Sequence, residues 1–288
     1  MSHMVKGCVR ISAGMSSSLH IDYLLIGHVS HDCTSEGVRL GGSVTFAGRT
    51  VQALGQRPAI ITSAAPDANL SALAGLPLHI IPAEQTTTFE NRYTASGRQQ
   101  LLHGRAARLT ADNWPVDWTS PAIVHLAPIA DEVDPDWADR FPDSVLGLTP
   151  QGWLRAWDSA GRVFPRDWPD AARILPLATA VVLSEEDLGS ANQLELFRHY
   201  SRLLVLTTGA QGCHVYWRGE QRHFSAPTVN QVDPTGAGDI FAAAFFLRLA
   251  QTEDPWQAAE FANRIAALSV TVDGLVAKIE VLQAGLSA

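Results

Sequence analysis

Lysine is nearly missing from this chain. Only Lys6 and Lys278 stand against nineteen arginines. No Gly-x-x-x-x-Gly-Lys-Ser/Thr run occurs, so a phosphate handled here is not held by a P-loop. Cysteine is scarce too. Cys8, Cys33 and Cys213 lie far apart with no Cys-x-x-Cys, which excludes a disulfide framework and predicts a reducing, cytoplasmic compartment. No run of about 18 apolar residues is present, so no membrane partner is expected. The net charge of −8 lacks the basic footprint that nucleic acid requires. What remains is an ordinary globular composition, 46% apolar and 17% charged over 288 residues, enough for one large domain or a domain with a small appendage. Met1-Ser2-His3-Met4 reads as a tag remnant, a natural start at Met15 is conceivable, and residues 1–18 are set aside as tag or disordered N-terminus.

Short apolar runs alternate with helix-length segments. Tyr23–Ile26, Ala59–Ser63, His79–Ile81, Ile123–Leu126, Ser144–Leu148, Ala180–Leu183 and Leu203–Thr207 read as buried strands, and Val38–Leu40 as an edge strand. Helices are expected over Ser43–Leu54, Leu70–Leu76, Pro135–Arg140, Trp168–Ile174 and Glu185–Tyr200, and from Asp254-Pro255 through Ser269. Cys213–Trp217 and Gln221–Phe224 form a hairpin. This alternation argues for an α/β fold with a mainly parallel sheet covered on both faces. Residues 86–105 differ. They are polar, alternating and broken by Ala95-Ser96-Gly97-Arg98, which predicts a half-exposed hairpin outside the main sheet.

The most specific run is Asp233-Pro234-Thr235-Gly236-Ala237-Gly238-Asp239, which leads straight into the apolar helix Ile240–Leu247. A helix N-terminus carries unpaired N–H groups and a partial positive charge, and glycine lets its backbone approach a ligand. Gly236, Ala237 and Gly238 thus make a candidate anion cradle. A carboxylate beside it would repel bound phosphate, so Asp239 makes better sense as a base next to a phosphoryl group in transit. The plainer alternative is a cap at Asp233, close-packing glycines and a dipole-favoured acid at Asp239. In open α/β sheets ligands sit beyond the carboxyl ends of the strands. There lie Asp32, suited to paired hydroxyls, then Gly41-Gly42, the acidic Ser184-Glu185-Glu186-Asp187, and Thr208-Gly209-Ala210-Gln211-Gly212. The acids could hold Mg²⁺ through water or be an ordinary acidic first turn. His28, His31, Asp32 and Cys33 also have a metal cluster's composition, with no second cluster to complete it.

At these residues the chain resembles the ribokinase-like (PfkB) carbohydrate kinases. The Asp-Pro-Thr-Gly-Ala-Gly-Asp signature stands whole, Gly41-Gly42-Ser43 through Leu54-Gly55 matches the N-terminal signature, and Thr208–Gly212 matches the nucleotide loop. The likeness covers residues 20–285. It implies a three-layer α/β/α sandwich over residues 19–288 with a small β lid, contributed mainly by 86–105. It implies ATP- and Mg²⁺-dependent phosphorylation of a small sugar or cyclitol, with Asp239 as base and Gly236, Ala237 and Gly238 as anion hole. Asp32, Gly41, Gly42, Asn91 and Arg108 would face the acceptor, and Thr208, Gly209, Gly212, Asn263 and Ala267 the nucleotide. Asp187 and Glu186 would reach Mg²⁺ through water. One departure stands out: Ser184–Asp187 replaces the usual Asn-x-x-Glu. That feature, Gly41–Phe46 and Asn91-x-Tyr93 resemble the inositol-kinase-like branch, with myo-inositol as the narrow expectation. A nucleoside kinase, stacking its acceptor on Phe46 or Phe89, is one alternative. A non-catalytic ligand-binding or regulatory member is the other. The expected assembly is a monomer or a homodimer.

Overall fold

The computed structural model describes residues 19–35, 37–94 and 97–287. Residues 1–18, Glu36, Ala95, Ser96 and Ala288 lie outside the described residues. In chain order the strands are β1 (Tyr23–Ile26), β2 (Ser30–Thr34), β3 (Gly37–Gly41), β4 (Pro58–Ala64), β5 (Leu78–Pro82), β6 (Thr87–Thr94), β7 (Gly97–Gly104), β8 (Ile123–Leu126) and β9 (Val145–Leu148). They continue with β10 (Arg155–Trp157), β11 (Val163–Pro165), β12 (Ala180–Ser184), β13 (Leu203–Thr207), β14 (Cys213–Trp217) and β15 (Glu220–Phe224). The α-helices are α1 (Ser43–Ala53), α2 (Ala171–Ile174), α3 (Ala191–Tyr200), α4 (Ala237–Thr252), α5 (Pro255–Ser269) and α6 (Leu275–Ser287).

Nine strands form one sheet in the order β15-β14-β13-β12-β9-β8-β1-β4-β5. It is parallel from β13 to β5, and the β14–β15 hairpin adds an antiparallel edge. The central strands are buried on both faces, which is why they read as unbroken apolar runs rather than alternating ones. One face packs on Phe46, Val51, Phe241, Phe245, Phe246 and Ile265, drawn from α1, α4 and α5. The other packs on Trp137, Trp153, Trp168, Ile174 and Phe197. Helix α4 is buried from Ile240 through Leu247, so it is apolar all round rather than striped. Each large side chain buried there contributes roughly 1.5–3 kcal/mol, which anchors the segment that ends at Asp239.

A four-stranded sheet, β3-β2-β6-β7, stands apart from the main one. Strand β2 pairs parallel with β6, while β2–β3 and β6–β7 are antiparallel. Half of this sheet is therefore built from residues before α1. The run Ser30–Thr34, expected as loop after β1, is a strand. Its mixed polar composition hides it, because only one face is covered. Four helical expectations shrink, Trp168–Ile174 among them, which is helical only over Ala171–Ile174. Leu70–Leu76 holds only a 3-10 turn at Ser71–Leu73, and Pro135–Arg140 one at Pro135–Asp139. The Glu185–Tyr200 segment splits into a 3-10 turn, Glu185–Asp187, and α3, which restarts at the Ser190 cap beyond Gly189.

Candidate active site

Two helix N-termini meet at the carboxyl ends of the parallel strands. Helix α1 starts behind Gly42 and α4 behind Gly236, and neither cap residue offers a side chain to the first turn. Both glycines have positive φ, +91° and +75°. A Cβ on Gly42 would lie 2.4 Å from the His28 carbonyl oxygen, and one on Gly236 would lie 2.3 Å from the Phe46 ring. Only glycine lets the two helix starts approach this closely. Gly238 is different: a Cβ there meets nothing within 4 Å, and the residue is exposed. Its open space lies where the cradle needs room. Of the expected cradle, the Ala237 N–H is already used within the turn, donating to the Pro234 carbonyl at 3.1 Å.

Asp239 sits in the first turn of α4, half-buried, and accepts a hydrogen bond from the Ser43 hydroxyl at the start of α1. Its carboxyl is pushed up to about 6, chiefly because burial disfavours the anion. The Ser43 bond and the Arg155 charge oppose that rise, whereas the Asp187 and Asp32 charges reinforce it. Three carboxylates from β2, the β12 end and α4 thus feel one another's charge, with one guanidinium among them. Asp32 accepts from the Ser30 hydroxyl at 3.0 Å and lies so close to Gly41 that a Cβ there would fall 2.2 Å from its Oδ2. Asp187 closes a capping box with Ser184, accepts from Gln151 Nε2 at 2.9 Å, and faces Arg155 at 3.8 Å. Gln151 and Arg155 were not singled out from the sequence. They stand on a 3-10 turn, Pro150–Leu154, and a three-residue strand that carry no strong local signal.

The expected acceptor residues separate. Asn91 lies on β6 in the small sheet and accepts from Gln100 Nε2 at 3.3 Å. Arg108, also expected to face the acceptor, is exposed and ion-paired with Asp134 at 3.2 Å. The aromatics proposed to stack a nucleoside, Phe46 and Phe89, are both buried in packing. His28 is occupied as well. Its Nε2 donates to the Ala107 carbonyl at 2.7 Å and its Nδ1 accepts from Thr87 at 2.7 Å, and burial lowers its pKa. Beside it a carboxylate unnoticed in the sequence, Glu132, is fully buried and accepts from the backbone N–H groups of His28, Ile129 and Ala130 at 2.6–3.0 Å. It fixes the loop from β1 into β2, and so the strand that carries Asp32.

On the nucleotide side, the Thr208, Gln211 and Gly212 N–H groups bond within their own turn, leaving those of Gly209 and Ala210 outside that set. Gly212 is held by packing, since a Cβ would lie 2.0 Å from the Phe224 carbonyl oxygen. Asn263 and Ala267 are buried on α5, and the Asn263 amide donates to the Phe224 carbonyl at 2.9 Å, tying α5 to the edge hairpin. Among the described residues, no group of three His, Cys, Asp or Glu side chains is arranged to ligate a metal directly. With Gln151 and Arg155 already on Asp187, the acids at the β12 end fit a metal held through water, not one caged by the protein.

Lys278 stands far along the chain from the glycine-rich signature, and the fold brings the two together. Its ammonium is buried against Asp233, the first residue of the signature, 45 positions away in sequence. Only tertiary structure could bring them together.

The chain thus combines an α/β/α sandwich and a small four-stranded sheet with a helix tip that presents a half-buried carboxylate. Comparison with known proteins shows what the chain is similar to. Residues 160–281 match the pfkB family carbohydrate kinase model. Inositol 3-kinase from Zea mays is 28% identical over 283 residues, covering 88% of this chain and 73% of that protein. A pyrophosphate-dependent kinase in the ribokinase family, complexed with a pyrophosphate analog and myo-inositol, superposes with a TM-score of 0.77 at 22% identity, covering 91% of this chain and 99% of that one. Arabidopsis thaliana ribokinase complexed with ribose and ATP superposes with a TM-score of 0.67 at 16% identity, covering 92% and 99%. No helix among the described residues is long and apolar enough to cross a membrane.

Proposed function

We propose that this protein transfers a phosphoryl group from ATP to one hydroxyl of a cyclitol, with myo-inositol the first candidate, and that Asp239 is the general base. The carrying observation is the Asp239 carboxyl at the tip of α4, pushed up to about 6 and bonded to Ser43. A base near neutrality is poised both to ionise and to accept a proton. In this reading the acceptor hydroxyl lies against Asp239, and its proton passes to an Asp239 carboxylate oxygen as the oxygen attacks phosphorus. The unpaired N–H groups at the start of α4 meet the charge on the transferring phosphoryl, which is where phosphoryl transfer needs help. Asp32 and the Gly41-Gly42 backbone position the acceptor hydroxyls. Asn91 and its sheet cover them from water. A divalent cation arriving with ATP would neutralise the donor oxygens, and Asp187 and Glu186 fit as holders of its waters.

The resemblance to inositol 3-kinase supports the cyclitol over a sugar. The nucleoside alternative loses its support, because Phe46 and Phe89 are buried. The test is a panel of cyclitols, sugars and nucleosides assayed for phosphorylated product with ATP or with pyrophosphate as donor. Turnover is expected on a cyclitol. No product from any acceptor with either donor, while ATP still binds, would establish the non-catalytic reading instead.

A further inference from the structure

The buried lysine carries one. The Lys278 ammonium is surrounded by four oxygens: the Asp233 carbonyl at 2.5 Å, the Ser269 carbonyl at 2.9 Å, the Val272 carbonyl at 3.4 Å and the Asp233 Oδ2 at 3.2 Å. The side chain is wholly buried, and the Asp233 carboxylate beside it is mostly buried too, at 15% exposure. An ammonium has three protons to donate, so four converging oxygens are one more than hydrogen bonding requires. Carbonyl oxygens that converge from separate turns with a carboxylate are the coordination shell of a bare monovalent cation such as potassium. A primary ammonium is close to potassium in size and charge.

The cage lies under the reacting end of α4. The Asp233 Oδ1 accepts from the Thr235 N–H at 2.9 Å, and the Val232 and Asp233 N–H groups donate to the Val270 carbonyl at 2.7 and 3.2 Å. The Asp233 Oδ2 also takes the Gly274 N–H at 3.3 Å, at the start of α6. These bonds lock the 232–235 segment to the 269–274 turn, and from that segment the chain runs directly into Gly236 and Asp239. We propose that Lys278 is a tethered cation filling a monovalent-cation cage, which holds the anion-cradling turn in place without any free potassium.

The experiment compares potassium chloride with choline chloride at equal ionic strength, in the wild-type chain and in Lys278→Ala. Melting is read beside turnover, so the result stands whether or not the kinase assignment does. The wild type is expected to melt and turn over identically in the two salts. Lys278→Ala, with its cage vacated, is expected to melt about 5 °C higher in potassium at a hundredfold excess over its dissociation constant. Its turnover is expected to fall by about tenfold or more in choline and to recover in potassium, because a displaced catalytic turn loses positioning. Potassium raising the wild-type melting point or rate by similar amounts would overturn the proposal. So would a folded Lys278→Ala indifferent to the salt. Should that variant not fold, the wild-type comparison alone decides.

Discussion

Asp239→Asn separates the cost of the base from its use. A carboxyl raised from 3.8 to about 6 makes the native state about 3 kcal/mol less stable above pH 6 than the same fold with a neutral group there. Water entering a half-open cleft reduces that to about 1–2 kcal/mol. The sign follows from proton binding. The folded chain holds the Asp239 proton more tightly than the unfolded chain does, so its stabilising effect is complete below about pH 4 and lost as pH rises through about 6. Asparagine keeps an oxygen for the Ser43 hydroxyl and removes the charge that Asp187 and Asp32 repel. The variant should therefore melt about 2–4 °C above wild type at pH 7 and show no such gain at pH 4. Turnover should fall by about 10²–10⁴ while ATP affinity holds. The assays are calorimetric melts across pH 4–8 beside initial rates. A variant no more stable at pH 7 than wild type, or one that keeps a tenth of the rate, would refute the assignment of Asp239 as a strained base.

Three further outcomes follow from the same geometry. Wild-type kcat/KM should rise with pH through about 6, the value to which Asp239 is pushed, and a flat profile from pH 5 to 8 would show that another group takes the proton. The two glycines should part company: Gly236→Ala must displace the Phe46 ring at a positive φ and lose about 2–4 kcal/mol in urea titration, whereas Gly238→Ala has clear space, should be as stable as wild type or about 0.5–1 kcal/mol more so, and should still lose activity by crowding the cradle. Asn263→Ala strips a buried partner from the Phe224 carbonyl and should cost about 1–3 kcal/mol with the Michaelis constant for ATP within a few-fold, where a direct nucleotide contact would raise it steeply.

Much of the architecture is legible in the chain because the central strands are buried on both faces and advertise themselves as short apolar runs. The 86–105 hairpin reads as separate for the converse reason: its alternation marks a sheet covered on one side. The Gly236–Asp239 turn is legible since a helix start that must admit an anion tolerates few residue types. Ser30–Thr34 was not legible, because a polar strand borrowed from the loop after β1 has no apolar period. Nor was the Glu185–Tyr200 break, where the capping Ser190 competes with a pattern that otherwise runs on.

Local chemistry, then, was decided by the sequence alone: which buried apolar runs become strands, and which helix tip carries a carboxylate. Long-range partnerships were decided only by the fold. Gln151 and Arg155 reach Asp187, Ser43 reaches Asp239, and Lys278 lies buried against Asp233. Each is an electrostatic bond between residues far apart in the chain. Burial sets the strength of such bonds, and no spacing along a sequence encodes burial.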